Sequence, residues 1–287
     1  MRIDLHTHSD RSDGTSTPTA LVEEAAEAGI DVLALTDHDT ATGWDEAAAA
    51  AADAGIAFVP GMEISCEHAG RAVHLLAYWP DPSYEPLAAE LRRVLEGRDG
   101  RTPRIVERLR AHGIDIDTDL VARHGRDAAA IGRPHVADAL VSLGVVRNRD
   151  QAFDQWLSPG RPGYVERYAP EVEEMIRVVG DAGGVTVIAH PWGRRDHSDL
   201  MLEGLARLQG HGLAGVEVDH QDHGPEQRAE LRRIAAELDL VVTGSSDHHG
   251  TGKLDHELGC NTTAPEEYER LRQLARGAAE VHEAGRA

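Results

Sequence analysis

Seven short apolar runs recur along this chain, at residues 3–5, 32–35, 57–64, 73–78, 185–189, 215–218 and 240–243. Helical patterns separate most of them. In residues 18–28, Thr17 stands at the N-cap, Pro18 fits the first helical position, and Leu21, Val22, Ala25 and Ala28 share an apolar face. Helices are also expected over 45–54, 171–182, 200–208 and 226–238, and Gly29, Gly55 and Gly183 close three of the helical stretches. Strand and helix in alternation, joined by short glycine-ended connections, make a parallel α/β sheet or barrel. Functional side chains of such barrels gather at the C-terminal ends of the strands.

The alternation stops in the middle of the chain. Residues 85–110 read as helix with an interruption at 97–103, and 114–168 show no strand–helix rhythm. A helix is expected from the Ile-Gly-Arg-Pro-His stretch at 131–135 to Leu143, and a short amphipathic one at 151–157. We therefore expect two units: a barrel built from 1–97 and 171–287, and a helical insertion over 98–170 that serves as a lid. A strand-like run at 258–262, a helix over 265–275 and a frayed tail complete the reading.

A chain of 287 residues buries a sizeable core, and no apolar run approaches the roughly 20 residues of a membrane span. The start is strand-like and carries Asp4, unlike a signal peptide. Cys66 and Cys260 lie far apart and suggest no disulfide, so the cytoplasm is the expected compartment. A net charge of −21 argues against wrapping long duplex nucleic acid. It leaves room for a small phosphorylated substrate held where metal ions supply positive charge. No protein partner is indicated.

The chain holds 17 histidines against two phenylalanines. His6 and His8 lie two apart at the end of the first run, so in a strand both point to one face. His38, His190, Asp247 and His249 also follow apolar runs, Asp13 follows in the first loop, and Glu63 and His74 lie within runs. Histidines scattered over a surface would not return to one topological position. Nine nitrogen and oxygen ligands exceed one tetrahedral ion and point to two or three divalent metals (Mn, Fe or Zn), with a carboxylate such as Glu63 bridging.

H-T-H-S-D at 6–10, T-D-H-D at 36–39, G-M-E-I-S at 61–65, A-H-P at 189–191 and S-D-H-H-G at 246–250 resemble the successive motifs of the PHP (polymerase and histidinol phosphatase) superfamily. I-G-R-P-H at 131–135, A-F-D-Q-W-L at 152–157 and Y-V-E-R at 164–167 resemble the insertion of its bacterial branch acting on 3′,5′-bisphosphonucleotides or, as 5′-3′ exoribonucleases, on short RNA. The resemblance implies a distorted (β/α)7 barrel with a trinuclear site. His6, His8, Glu63 and Asp247 would hold one ion; Glu63 would bridge to a second held by His74 and His190; Asp13, His38 and His249 would hold the third. Many members carry histidine where Asp13 stands.

The implied activity is hydrolysis of nucleotide phosphate monoesters by metal-activated hydroxide. Arg133 and His135 are candidates to grip a second phosphate, with Arg194 as a further one. His220 or His223 is the candidate to protonate the leaving oxygen. Asp37 and Asp39 either orient ligands or cap the helix that follows. Two other functions stay open: a histidinol-phosphate-type phosphatase, and a non-catalytic metal-stabilised nucleotide-binding module.

Overall fold

The computed structural model describes residues 1–193 and 198–286. Seven strands form one sheet in chain order: β1 (Ile3–Asp4), β2 (Val32–Leu35), β3 (Ala57–His68), β4 (Arg71–Tyr78), β5 (Val185–Ile188), β6 (Gly215–Asp219) and β7 (Val241–Gly244). All neighbours pair in parallel except β3 with β4 and β4 with β5. Thr7 bridges His248, His8 N–H donates to His248 O at 2.9 Å, and Thr263 N–H donates to Ile3 O at 2.9 Å. These contacts draw β7 towards β1 and nearly close a barrel.

The helices are α1 (Pro18–Glu27), α2 (Trp44–Ala54), α3 (Glu85–Ala111), α4 (Thr118–His124), α5 (Arg133–Ser142), α6 (Arg149–Ala152), α7 (Val172–Asp181), α8 (Leu202–Gly210), α9 (Pro225–Glu237) and α10 (Pro265–Arg286). Thr17 caps α1 through its side chain, which accepts from Ala20 N–H at 3.2 Å. The barrel interior and its outer helices bury Ile3, Leu5, Val59, Leu76 and Val187 on one side of the strands and Met62, Ile64, Leu75, Ile188 and Val216 on the other. An apolar cluster of its own, including Ile105, Leu109, Val121, Val136, Leu140 and Val165, lies in the inserted segment.

Three expectations need correction. The interruption at 97–103 is absent: α3 runs unbroken for 27 residues with Pro103 inside it. A glycine and a proline cost a helix about 1 and about 3 kcal/mol. The buried face from Leu87 through Val94 to Ile105 and Leu109 offsets that. Residues 258–262 form turns rather than a strand, and α10 continues past 275 to Arg286. Among the described residues no helix is long and apolar enough to cross a membrane, and both cysteines are free.

Candidate metal centre

The first loop, the ends of β2, β5 and β7, and the β3–β4 hairpin bring all nine expected ligands together. The Nε2 atoms of His6 and His8 lie 3.1 Å apart. Glu63 Oε2 stands 3.4 and 3.3 Å from them, and Asp247 Oδ1 stands 3.5 and 3.4 Å away. A tetrahedron of ligands about 2.05 Å from an ion has edges of about 3.3 Å, so these four atoms fit one divalent cation. His6 Nδ1 faces Glu217 Oε1 at 3.1 Å, which places the proton on Nδ1 and leaves a lone pair on Nε2.

Glu63 turns its other oxygen elsewhere. Oε1 lies 2.7 Å from His74 Nδ1 and 3.0 Å from His190 Nε2. Asp13 Oδ2 lies 3.5 Å from His38 Nε2, and its Oδ1 lies 3.3 Å from His249 Nε2. His38 also reaches Glu63 Oε2 through Nδ1 at 3.1 Å, so it stands between the two groups.

The electrostatics ask for cations. Burial pushes Asp13, Glu63 and Asp247 up, yet the imidazoles around them, with Lys253 at Asp247, hold all three well below the usual carboxylate range. Burial alone would push His8 down, but Asp247 and Glu63 raise it to about 9. Carboxylates crowded in the interior must be neutralised by something positive. Divalent ions here would take over that role from protons.

Backbone strain collects at the same place. Asp39, His190 and Asp247 have φ of 58°, 29° and 52°, in the left-handed region that L side chains rarely adopt. His190 N–H donates to Glu217 Oε2 at 2.8 Å, and Asp39 accepts from Ser65 N–H at 2.7 Å and Arg98 Nε at 2.8 Å. Asp37 accepts from Ser9 N–H at 2.8 Å and from the Ser9 and Ser12 hydroxyls. Neither aspartate caps α2, whose N-cap is Gly43; they bind together the loops that carry the ligands.

A cavity of about 790 Å³ opens over this cluster, lined by Asp13, His38, Glu63, His74, His190, Asp247 and His249. Arg98, Arg101, Arg133, Arg149, Arg161, Arg167 and Lys253 also line it. Arg133 is thus where the sequence predicted; its Nη1 donates to Leu157 O at 3.1 Å and its guanidinium lies over Phe153. His135 does not line this cavity. It is buried at the start of α5, where Nδ1 accepts from Gly132 N–H at 3.0 Å. Arg194 lies outside the described residues.

The histidines expected to protonate the leaving group are also off the cavity wall. His220 is fully buried: Nδ1 accepts from Asp222 N–H at 3.1 Å, so Nε2 carries the proton and donates to Asp247 Oδ2 at 3.1 Å. His223 spends both ring nitrogens on backbone, accepting from Trp192 N–H at 3.1 Å and donating to Val218 O at 2.9 Å.

Sequence reasoning missed Glu217 and most of the arginines. Glu217 carried a readable signal, a lone carboxylate inside the apolar Val-Glu-Val of β6. The arginines carried none, since they are spread through helical, polar stretches. Arg101 is only 6% exposed, and its Nε has no hydrogen-bond partner among the described residues. Burial and the neighbouring Arg133, Arg98 and Arg167 bring Arg101 down to about 8.

The PHP domain model matches residues 4–115. A 3′,5′-nucleoside bisphosphate phosphatase from Chromobacterium violaceum is 37% identical over 264 residues, 92% of each chain. A 5′-3′ exoribonuclease from Haemophilus influenzae is 35% identical over 251 residues, 86% of this chain and 90% of its own. A solved structure from Bifidobacterium adolescentis, whose own assignment as a metal-dependent phosphoesterase is inferred, superposes with a TM-score of 0.90 at 40% identity over 95% of this chain and 96% of its own. Likeness of that extent, from the first ligand loop to the last, means that the chain belongs to the PHP family and is a metal-dependent phosphoesterase.

Proposed function

We propose that the chain removes a phosphate from nucleotides bearing a second phosphate, as a 3′,5′-bisphosphonucleotide phosphatase that also trims short RNA. The observation that carries this is the arginine-lined wall of the same cavity that the metal ligands floor. An acidic chain places six arginines there, and Arg101 is buried among like charges with an unused donor. A dianionic phosphate supplies what such a cluster lacks, and guanidinium groups match its geometry bidentately. A substrate with a single phosphate leaves the Arg101 donor unused. The names of the Chromobacterium and Haemophilus relatives agree with this reading.

Two or three divalent ions fit the nine-ligand set, and when bound they supply Lewis-acid charge and lower the pKa of water. The remaining work falls to the protein. Arg101 and Arg133 hold the phosphate that is not cleaved, and the insertion that carries them acts as the substrate-side domain. His220 is a positioning residue that fixes the Asp247 carboxylate. Phosphate release from a 3′,5′-bisphosphonucleotide, a 5′-mononucleotide and histidinol phosphate, with Mn added, tests the proposal. We expect kcat/KM for the bisphosphate to exceed the others at least about tenfold, a gap of about 1.4 kcal/mol that one charged phosphate contact can supply. Arg101→Gln should erase that preference. A preference for histidinol phosphate, or no release from any nucleotide, overturns it.

A further inference from the structure

We infer that Lys253 is a catalytic residue that grips the phosphoryl group undergoing hydrolysis, an inference that rests on the phosphatase reading above. Lys253 is the only lysine in the chain, among 29 basic residues. Every other cationic group on the cavity wall is an arginine from residues 98–167, whereas Lys253 comes from the barrel, in the loop after β7.

That loop is held firmly. Thr251 N–H donates to Thr15 Oγ1 at 2.9 Å, and Gly252 N–H donates to His249 O at 3.2 Å. Gly250 has a φ of 62°, and a Cβ there would overlap Thr15 Oγ1, while one on Gly252 would overlap the Arg149 guanidinium. The loop has no room to slide, so the lysine enters the cavity at a fixed point.

Asp247 divides its two oxygens. Oδ1 faces the Nε2 atoms of His6 and His8 at 3.5 and 3.4 Å, and His249 Nδ1 at 3.4 Å. Oδ2 receives His220 Nε2 and the Lys253 ammonium. The ammonium thus stands one carboxylate away from the ligand cluster, within a lysine's reach of any phosphoryl oxygen held there. A compact point charge suits so crowded a position, whereas the planar guanidinium suits the open wall. In the reaction the water oxygen bonds to phosphorus, the ester P–O bond breaks, and one water proton ends on the leaving oxygen. Lys253 stays protonated throughout and donates to a non-bridging oxygen as charge accumulates there.

Lys253→Met and Lys253→Arg test this on a 3′,5′-bisphosphonucleotide and on p-nitrophenyl phosphate. With Lys253→Met we expect kcat to fall about 10²-fold on both substrates, with KM and bound metal unchanged. Lys253→Arg should recover part of the rate. Acetylation of the single ε-amino group, with the N-terminal amine as internal reference, gives a readout independent of turnover. Inorganic phosphate should slow acetylation of metal-loaded protein, and the protection should persist in Arg101→Gln. Wild-type kcat in Lys253→Met, with altered metal content or Tm, would make the lysine a counter-ion of Asp247 and overturn the inference. Labelling insensitive to phosphate would overturn it too. If the unmodified enzyme released no phosphate from either ester, the substrate reading would fail, while the labelling result would still decide whether Lys253 meets phosphate.

Discussion

Glu217 is a residue that the ligand motifs conceal and that holds two of the expected ligands in place. Fully buried, it accepts from His6, from the His190 backbone and from the Ser245 hydroxyl, and so fixes two ligands at once. Removing a group that orients metal ligands commonly costs 10–100-fold in metal affinity. Glu217→Gln should therefore weaken metal binding by that factor, measured by titration against a chelator, while keeping the fold. His8 gives a second test. Its folded value of about 9 lies above the unfolded 6.5, so its pairing stabilises metal-free protein fully below pH 6.5. That contribution disappears as pH rises through 9. Chelated protein should lose about 5 °C in Tm between pH 6.5 and 9. His8→Gln should reduce that slope, leaving the part that His6 and His190 contribute, since, despite burial, the same carboxylates raise them too. Most of the expected ligands could be read from the sequence because His6, His8, His38, His190, Asp247 and His249 follow the ends of apolar runs. Arg98 and Arg101 could not, because nothing in the Arg-rich α3 says which arginine turns inward, and Arg167 lies in an irregular segment with no pattern to read.

At the level of elements, the two antiparallel pairings explain two ligands that the strand-end rule left unexplained. Strand β4 runs against its neighbours, so its early residues lie at the mouth where the other strands finish, and His74 enters the site from there. Strand β3 continues for 12 residues, which places Glu63 mid-strand yet at the barrel rim. Local pattern reveals neither, since strand direction is decided by pairing partners far along the chain. Helix α3 shows the same limit: Gly97 and Pro103 read as a break, and packing overrode them. Pro103 is exposed and breaks one helical hydrogen bond. Pro103→Ala should raise Tm by a few degrees in a thermal melt and leave phosphate release unchanged.

Across the whole molecule, the chain links residues almost as far apart as its length allows: ligands run from His6 to His249. The barrel order was legible because each strand follows its neighbour in sequence. The closure between first and last strand was expected only through the family resemblance, not from any local pattern, and it rests on few contacts. Among the described residues the Thr7–His248 bridge and two backbone hydrogen bonds join the edges there, and Ser246 N–H donates to the Asp4 carboxylate at 3.0 Å. His6 and His8 stand on one edge, Asp247 and His249 on the other. An ion held among them works as a clasp, fastening a staved vessel along its one unglued joint. Chelation should then loosen the wall unevenly: amide hydrogen exchange should quicken first in β1 and β7, while the β3–β4 hairpin, zipped by eight residue pairs, stays closed. The metal that serves chemistry at the mouth would also be the fastening that keeps the barrel a barrel.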